Sequence, residues 1–112
     1  MRKLFVPVLV AVLLGPAAAS ADAVTKQVIV GDNFFVRPEG VPTVRVKKGT
    51  RVKWVWTGMV AHGVTTLSGP SQFFSDIMIQ GTYSKKMRRK GRYTLICPVH
   101  GQEDQSMRLV VR

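Results

Sequence analysis

Cys97-Pro98-Val99-His100 sets a thiol and an imidazole three residues apart, and Met107 follows after six intervening residues. A second imidazole, His62, lies 35 positions before Cys97. These are the only cysteine and the only two histidines of the chain. That inventory excludes an internal disulfide, a Cys-rich zinc module, a two-cysteine dinuclear centre and the multi-histidine sites of copper oxidases and most zinc hydrolases. It leaves a small mononuclear site. Two imidazoles and one thiolate in a trigonal plane, with a weak thioether on the axis, suit both Cu(I) and Cu(II), so electron transfer demands little rearrangement. Zinc could take the same donors but would bring no redox chemistry. Taken singly, a cysteine in a strand is a core residue and a histidine in a β domain is a surface or core residue. The combination carries the metal reading.

Such donors are useful only if a stiff scaffold gathers them, so the elements around them matter next. Arg2 and Lys3 precede an apolar run of eleven residues from Leu4 to Leu14, and Ala19-Ser20-Ala21 is an A-x-A cleavage site, with Ala21-Asp22-Ala23 as a second candidate. Eleven residues reach about 16 Å as a helix, well short of a roughly 30 Å hydrocarbon core. Residues 1–21 therefore read as a secretory signal peptide, with cleavage after Ala21 or Ala23. The rest is exported, periplasmic or extracellular. An unpaired thiol in an oxidising compartment needs protection, by burial, by intermolecular pairing or by a metal ion.

From residue 24 to residue 112 no helical periodicity is sustained; β-branched and aromatic residues alternate with polar ones between Gly, Pro and Asn. The pattern predicts one all-β domain. A first strand covers Val24 to Phe35, with Gly31-Asp32-Asn33 as a bulge or bend, and a turn-rich connection covers Val36 to Pro42. Thr43 to Lys47 and Thr50 to Trp56 read as strands joined at Lys48-Gly49, with Val44, Val46, Val52, Trp54 and Trp56 on one face. His62 to Leu67 is a short strand and Ser68 to Gln80 an irregular segment. Thr82 to Arg88 is expected to pair with Arg92 to Cys97 across Arg89-Lys90-Gly91. Gln102 to Ser106 is a polar loop, and Met107 to Arg112 is the last strand. Strands of this number and spacing fit a β-sandwich.

At these residues the chain resembles the cupredoxins, the plastocyanin, amicyanin and pseudoazurin group of blue copper proteins. The resemblance runs through Gly49-Thr50-Arg51-Val52-Lys53-Trp54, similar to the family's G-x-x-V-x-W element, through Ala61-His62-Gly63-Val64 and Gly91-Arg92-Tyr93, to Cys97-Pro98-Val99-His100 and Met107. It implies a Greek-key β-sandwich of about seven to eight short strands holding one copper ion. His62, Cys97 and His100 would be the equatorial ligands and Met107 the axial one. Ala61 would precede the first ligand, where some members place a backbone carbonyl near the metal. Two departures stand out. The family usually has Asn after its first ligand histidine, where this chain has Gly63. The six residues between His100 and Met107 exceed the family's two to four, so Gln102, Gln105 and Met59 stand as alternatives on the axis.

With Arg2 and Lys3 set aside, 15 of the 17 Lys and Arg residues face 6 acids, a formal charge of +9. Such a charge attracts anionic proteins, polymers or membrane surfaces. The strand Arg92 to Cys97 runs toward the metal end, so Arg88, Arg89 and Lys90 fall about 20 Å away at roughly 3.3 Å per residue. Lys47 and Lys48 are expected at that same far end, and Glu103 and Asp104 beside the metal loop. Solvated charge that guards sheet edges accounts for the same residues without a docking role. No nucleic-acid recognition motif is present.

The resulting expectation is a monomeric one-electron carrier, not an enzyme, that serves redox partner proteins with an anionic surface. Two other readings compete with it: an extracytoplasmic copper carrier or buffer, and a metal-free cationic module that binds anionic surfaces.

Overall fold

A computed structural model of the chain describes residues 24–112; the signal peptide read over residues 1–21 lies outside the described residues. Eight strands run in the order β1 (Thr25–Gly31), β2 (Phe34–Phe35), β3 (Thr43–Val46), β4 (Arg51–Trp56), β5 (Thr65–Ser68), β6 (Gly81–Lys86), β7 (Gly91–Ile96) and β8 (Ser106–Val111). They form two four-stranded sheets, β2-β1-β4-β6 and β3-β8-β7-β5. Pairs β1/β4 and β3/β8 are parallel and the others antiparallel. The all-β sandwich expected from the alternation is therefore present. Among the described residues no helix is long and apolar enough to cross a membrane.

Alternation explains how the sheets meet. Val52, Trp54 and Trp56 of β4 are buried, as are Tyr93 and Leu95 of β7 and Met107, Leu109 and Val111 of β8, while the residues between them are less buried. Trp54 sits at the centre, its ring 5.9 Å from that of Phe73 and 5.7 Å from that of Tyr83. At the edge strand β6, the Lys85 ammonium lies 5.8 Å from the Phe73 ring centre. A lysine on an edge strand discourages pairing with another chain.

Four local expectations are corrected. The bend at Gly31-Asp32-Asn33 is a two-residue turn that ends β1 and starts β2, with Gly31 opposite Phe34 and Asn33 at φ 66°. The segments either side of Lys48-Gly49 are not hairpin partners: β3 pairs with β8 and β4 with β1 and β6, so their buried residues face one another across the core. Likewise β6 pairs with β4, whereas β7 pairs with β5 and β8. Both short connections cross between sheets. They are held by the far sheet ends, through Lys48 N–H to the Arg112 carbonyl (2.7 Å) and Gly49 N–H to the Met87 carbonyl (2.7 Å). Two strands that each bury one face satisfy the same periodicity whether they share a sheet or oppose one another, which is why alternation alone does not distinguish a hairpin from an arch. The short strand read over His62 to Leu67 is also divided: His62 forms an isolated bridge with Met78, and β5 begins at Thr65.

Candidate metal centre

Cys97 directly follows β7 and keeps that strand's inward phase, so its thiol is fully buried. Its N–H donates to the Gln105 carbonyl (3.0 Å), which extends the β7/β8 ladder by one residue. Its own carbonyl accepts from His100 N–H (3.3 Å) and Gly101 N–H (2.8 Å). That turn folds His100 back toward the thiol. The Gly101 carbonyl then accepts from Gln105 N–H (3.0 Å), a second turn that absorbs the long stretch after His100. Gly101 has φ 86°, in the left-handed region that favours glycine.

His62 reaches the same point from the connection between β4 and β5. It exchanges two backbone hydrogen bonds with Met78, each 2.9 Å, and its carbonyl also accepts from the Trp56 indole N–H at 2.9 Å. The ring is fully buried. Cys97 Sγ lies 3.9 Å from His62 Nδ1 and 3.4 Å from His100 Nδ1, and the two imidazole centres are 4.9 Å apart. The three donor atoms lie within 4.8 Å of one another. Bonds of about 2.3 Å to sulfur and about 2.05 Å to imidazole nitrogen would separate S and N by roughly 3.8 Å around a trigonal first-row ion. The observed distances bracket that value.

Asp32, read from the sequence only as part of a bend, proves to be the side-chain partner of His62. Its Oδ1 lies 2.7 Å from His62 Nε2, and its carboxylate also accepts from Met59 N–H (3.0 Å) and Val60 N–H (3.3 Å). The His62 bond, then that from Met59, holds the Asp32 carboxyl below its ordinary 3.8, so the group is an anion at neutral pH. An anionic acceptor requires the His62 proton on Nε2 and leaves the Nδ1 lone pair facing the thiol. An Asp in a tight turn ordinarily signals the turn itself, so no local signal distinguishes this one.

Asp32 also ties the loop before His62 to the β1–β2 turn, and no Asn follows that histidine. Gly63 instead permits close packing: a Cβ there would lie 2.6 Å from Ile77 Cδ1 and 3.4 Å from the Pro98 ring. Of the expected axial candidates, Met107 is buried in β8 opposite Leu95, and Gln105 is buried beside Cys97. Gln102 and Met59 are exposed.

At the opposite end of β7, a groove is lined by Lys26, Arg45, Lys47, Lys48, Lys86 and Arg112 among others. Lys90 joins Lys47, Lys48 and Arg112 in a neighbouring depression.

No protein-family model matches this sequence, and no curated protein matches it. Solved structures do match the fold. An oxidised mutant of amicyanin superposes with a TM-score of 0.64 at 23% identity, over 85% of this chain and 88% of that one. A purple cupredoxin from Nitrosopumilus maritimus gives 0.64 at 16% identity, over 78% and 99%. A copper-containing nitrite reductase from Thermus scotoductus gives 0.67 at 18% identity, over 80% of this chain but 22% of the reductase. The chain has the cupredoxin fold, and its His62, Cys97 and His100 cluster fits a single copper ion.

Proposed function

We propose that this protein is an exported one-electron carrier that holds one copper ion at His62, Cys97 and His100. The observation that supports it most is the convergence of one buried thiol and two imidazole Nδ1 atoms at 3.4 and 3.9 Å. A bound copper ion would supply interconversion between Cu(II) and Cu(I). The residues do the rest. Asp32 fixes the tautomer of His62, the turn at Gly101 holds His100 against the thiol, and burial of Cys97 keeps water and oxidants away from sulfur.

His100 is only half-buried, whereas His62 and Cys97 are enclosed. The ring edge of His100 is therefore the route by which an electron enters and leaves. Around this end Met59, Val60, Ile77 and Val99 are exposed, an apolar surface suited to brief contact with a redox partner. The basic groove at the far end would orient the carrier toward an anionic partner or membrane surface while the apolar end remains free. Residues 1–21, as a signal peptide, would place the protein in the periplasm or outside the cell, where it acts as a monomer and not as an enzyme.

Titration of the purified domain 24–112 with Cu(II), followed by visible absorption, tests the reading. An intense thiolate-to-copper band that saturates at one equivalent and disappears in Cys97→Ser is expected. Weak absorption, unchanged by Cys97→Ser, would overturn it.

A further inference from the structure

The Gln105 side chain is 1% exposed and only half satisfied. Its Nε2 donates to the Gly31 and Phe34 carbonyls, each at 2.9 Å, while Oε1 is buried without a partner. Rotating the amide by half a turn would set Oε1 against both carbonyl oxygens, so the two donor bonds fix which atom is left over. Burial of an amide oxygen with no donor is unfavourable unless something else binds it.

The placement of the residue is informative. Cys97 N–H donates to the Gln105 carbonyl, so Gln105 sits across the ladder from the thiol residue, on the same inward face. Its amide is anchored on Gly31, the residue before Asp32, whose carboxylate holds His62. Gln105 thus bridges the Cys97 strand end and the turn that orients His62. Met107 lies one inward position further along β8, opposite Leu95. Residues directly opposite in an antiparallel pair have Cβ atoms about 5 Å apart, and diagonal neighbours such as Met107 and Cys97 are about 7–8 Å apart. Gln105 is the nearer of the two.

We infer that Gln105 Oε1, rather than the Met107 thioether, is the weak axial donor to the ion held by His62, Cys97 and His100. This assignment rests on the copper reading above. The second turn, from Gly101 to Gln105, then has a chemical consequence. By lengthening the loop after His100 it brings an amide, not a thioether, opposite the thiolate. An amide oxygen is a harder donor than a thioether and favours Cu(II) over Cu(I), so the axial exchange lowers the reduction potential.

The test uses the domain 24–112 loaded with Co(II), a paramagnetic probe that needs no substitution. In its proton NMR spectrum the Gln105 γ-methylene signals are expected to carry the large shifts of a ligand, with the Met107 methyl shifted far less. A strongly shifted Met107 methyl, or shifts on neither residue, would overturn the assignment. The copper-loaded variants provide a second measurement. Gln105→Met should raise the reduction potential and alter the Cu(II) EPR spectrum, and Met107→Leu should change neither; the reverse pattern contradicts the proposal. If the wild-type protein lacks the thiolate-to-copper band, the copper reading itself fails and this assignment falls with it. A band with Met107 on the axis overturns the assignment alone.

Discussion

Asp32 Oδ1 lies 2.7 Å from His62 Nε2, across a gap of 30 residues in the sequence. The carboxylate at the β1–β2 turn thereby decides which nitrogen of a buried imidazole is free to bind an ion. Removing such a partner costs 10- to 100-fold in metal affinity in characterised sites. Asp32→Ala should weaken Cu(II) binding by about that factor, and Asp32→Asn, which keeps an acceptor but loses the charge, should fall between. Competition with a chelator of known affinity measures it. Equal affinity in all three proteins would show that His62 is held by its backbone alone.

The same pair gives the metal-free domain a pH dependence. The Asp32 carboxyl is held below 3.8 in the folded state, chiefly by His62 and then by the Met59 N–H. A depressed carboxyl contributes stability that is fully present above its unfolded value and is lost as pH falls through the folded one. The stability advantage of the wild type over Asp32→Asn should therefore hold at pH 6 and shrink below about pH 4, as read by urea unfolding. An advantage that grows on acidification would contradict the hydrogen bond from His62 Nε2 to the Asp32 carboxylate.

Gly101 carries the turn that returns the chain from His100 to Gln105. At φ 86°, with nothing within 4 Å of an added Cβ, Gly101→Ala is a test of backbone strain without a clash. A non-glycine residue in this region costs roughly 1–2 kcal/mol, so the midpoint of urea unfolding should fall accordingly, with the m-value unchanged. An unshifted midpoint would mean that the turn relaxes freely.

How much of this was legible depended on how local each signal was. The strand from Thr50 to Trp56, with Val52, Trp54 and Trp56 on one face, and the last strand from Met107 are written within a few residues, and the structure has them as β4 and β8. The Cys97 to His100 spacing is equally local, and the structure brings both side chains together with His62. Sheet membership is not local. The segments flanking Lys48-Gly49 and Arg89-Lys90-Gly91 look like hairpins because both halves alternate, yet each pair is split between sheets. Asp32 was hidden for the same reason, since its partners Met59, Val60 and His62 are 27 to 30 residues away. Gln105 stood only as one alternative to Met107, because its proximity to Cys97 depends on a turn whose course no residue count reveals.

The basic groove gives a prediction separate from the metal. Attraction through Lys47, Lys48 and Lys90 acts over a Debye length of about 10 Å at 0.1 M salt. Binding to anionic lipid vesicles should be strong at low salt, fall steeply as salt rises, and drop sharply when these three lysines are changed to Glu. The copper absorption should be untouched, because the groove lies about 20 Å from Cys97 at roughly 3.3 Å per strand residue. Binding that ignores salt would remove any docking role for this end.

In the proposed function the metal end carries electrons rather than delivering the ion. Voltammetry of the copper-loaded domain, combined with metal analysis after repeated reduction and oxidation, tests it directly. A reversible one-electron wave with one copper retained per chain through many cycles is predicted, because the donors are held by β7, β8 and the His62–Met78 bridge and need not move. An irreversible wave, with copper lost to a Cu(I) chelator on first reduction, would contradict the carrier and identify a protein that hands its metal on.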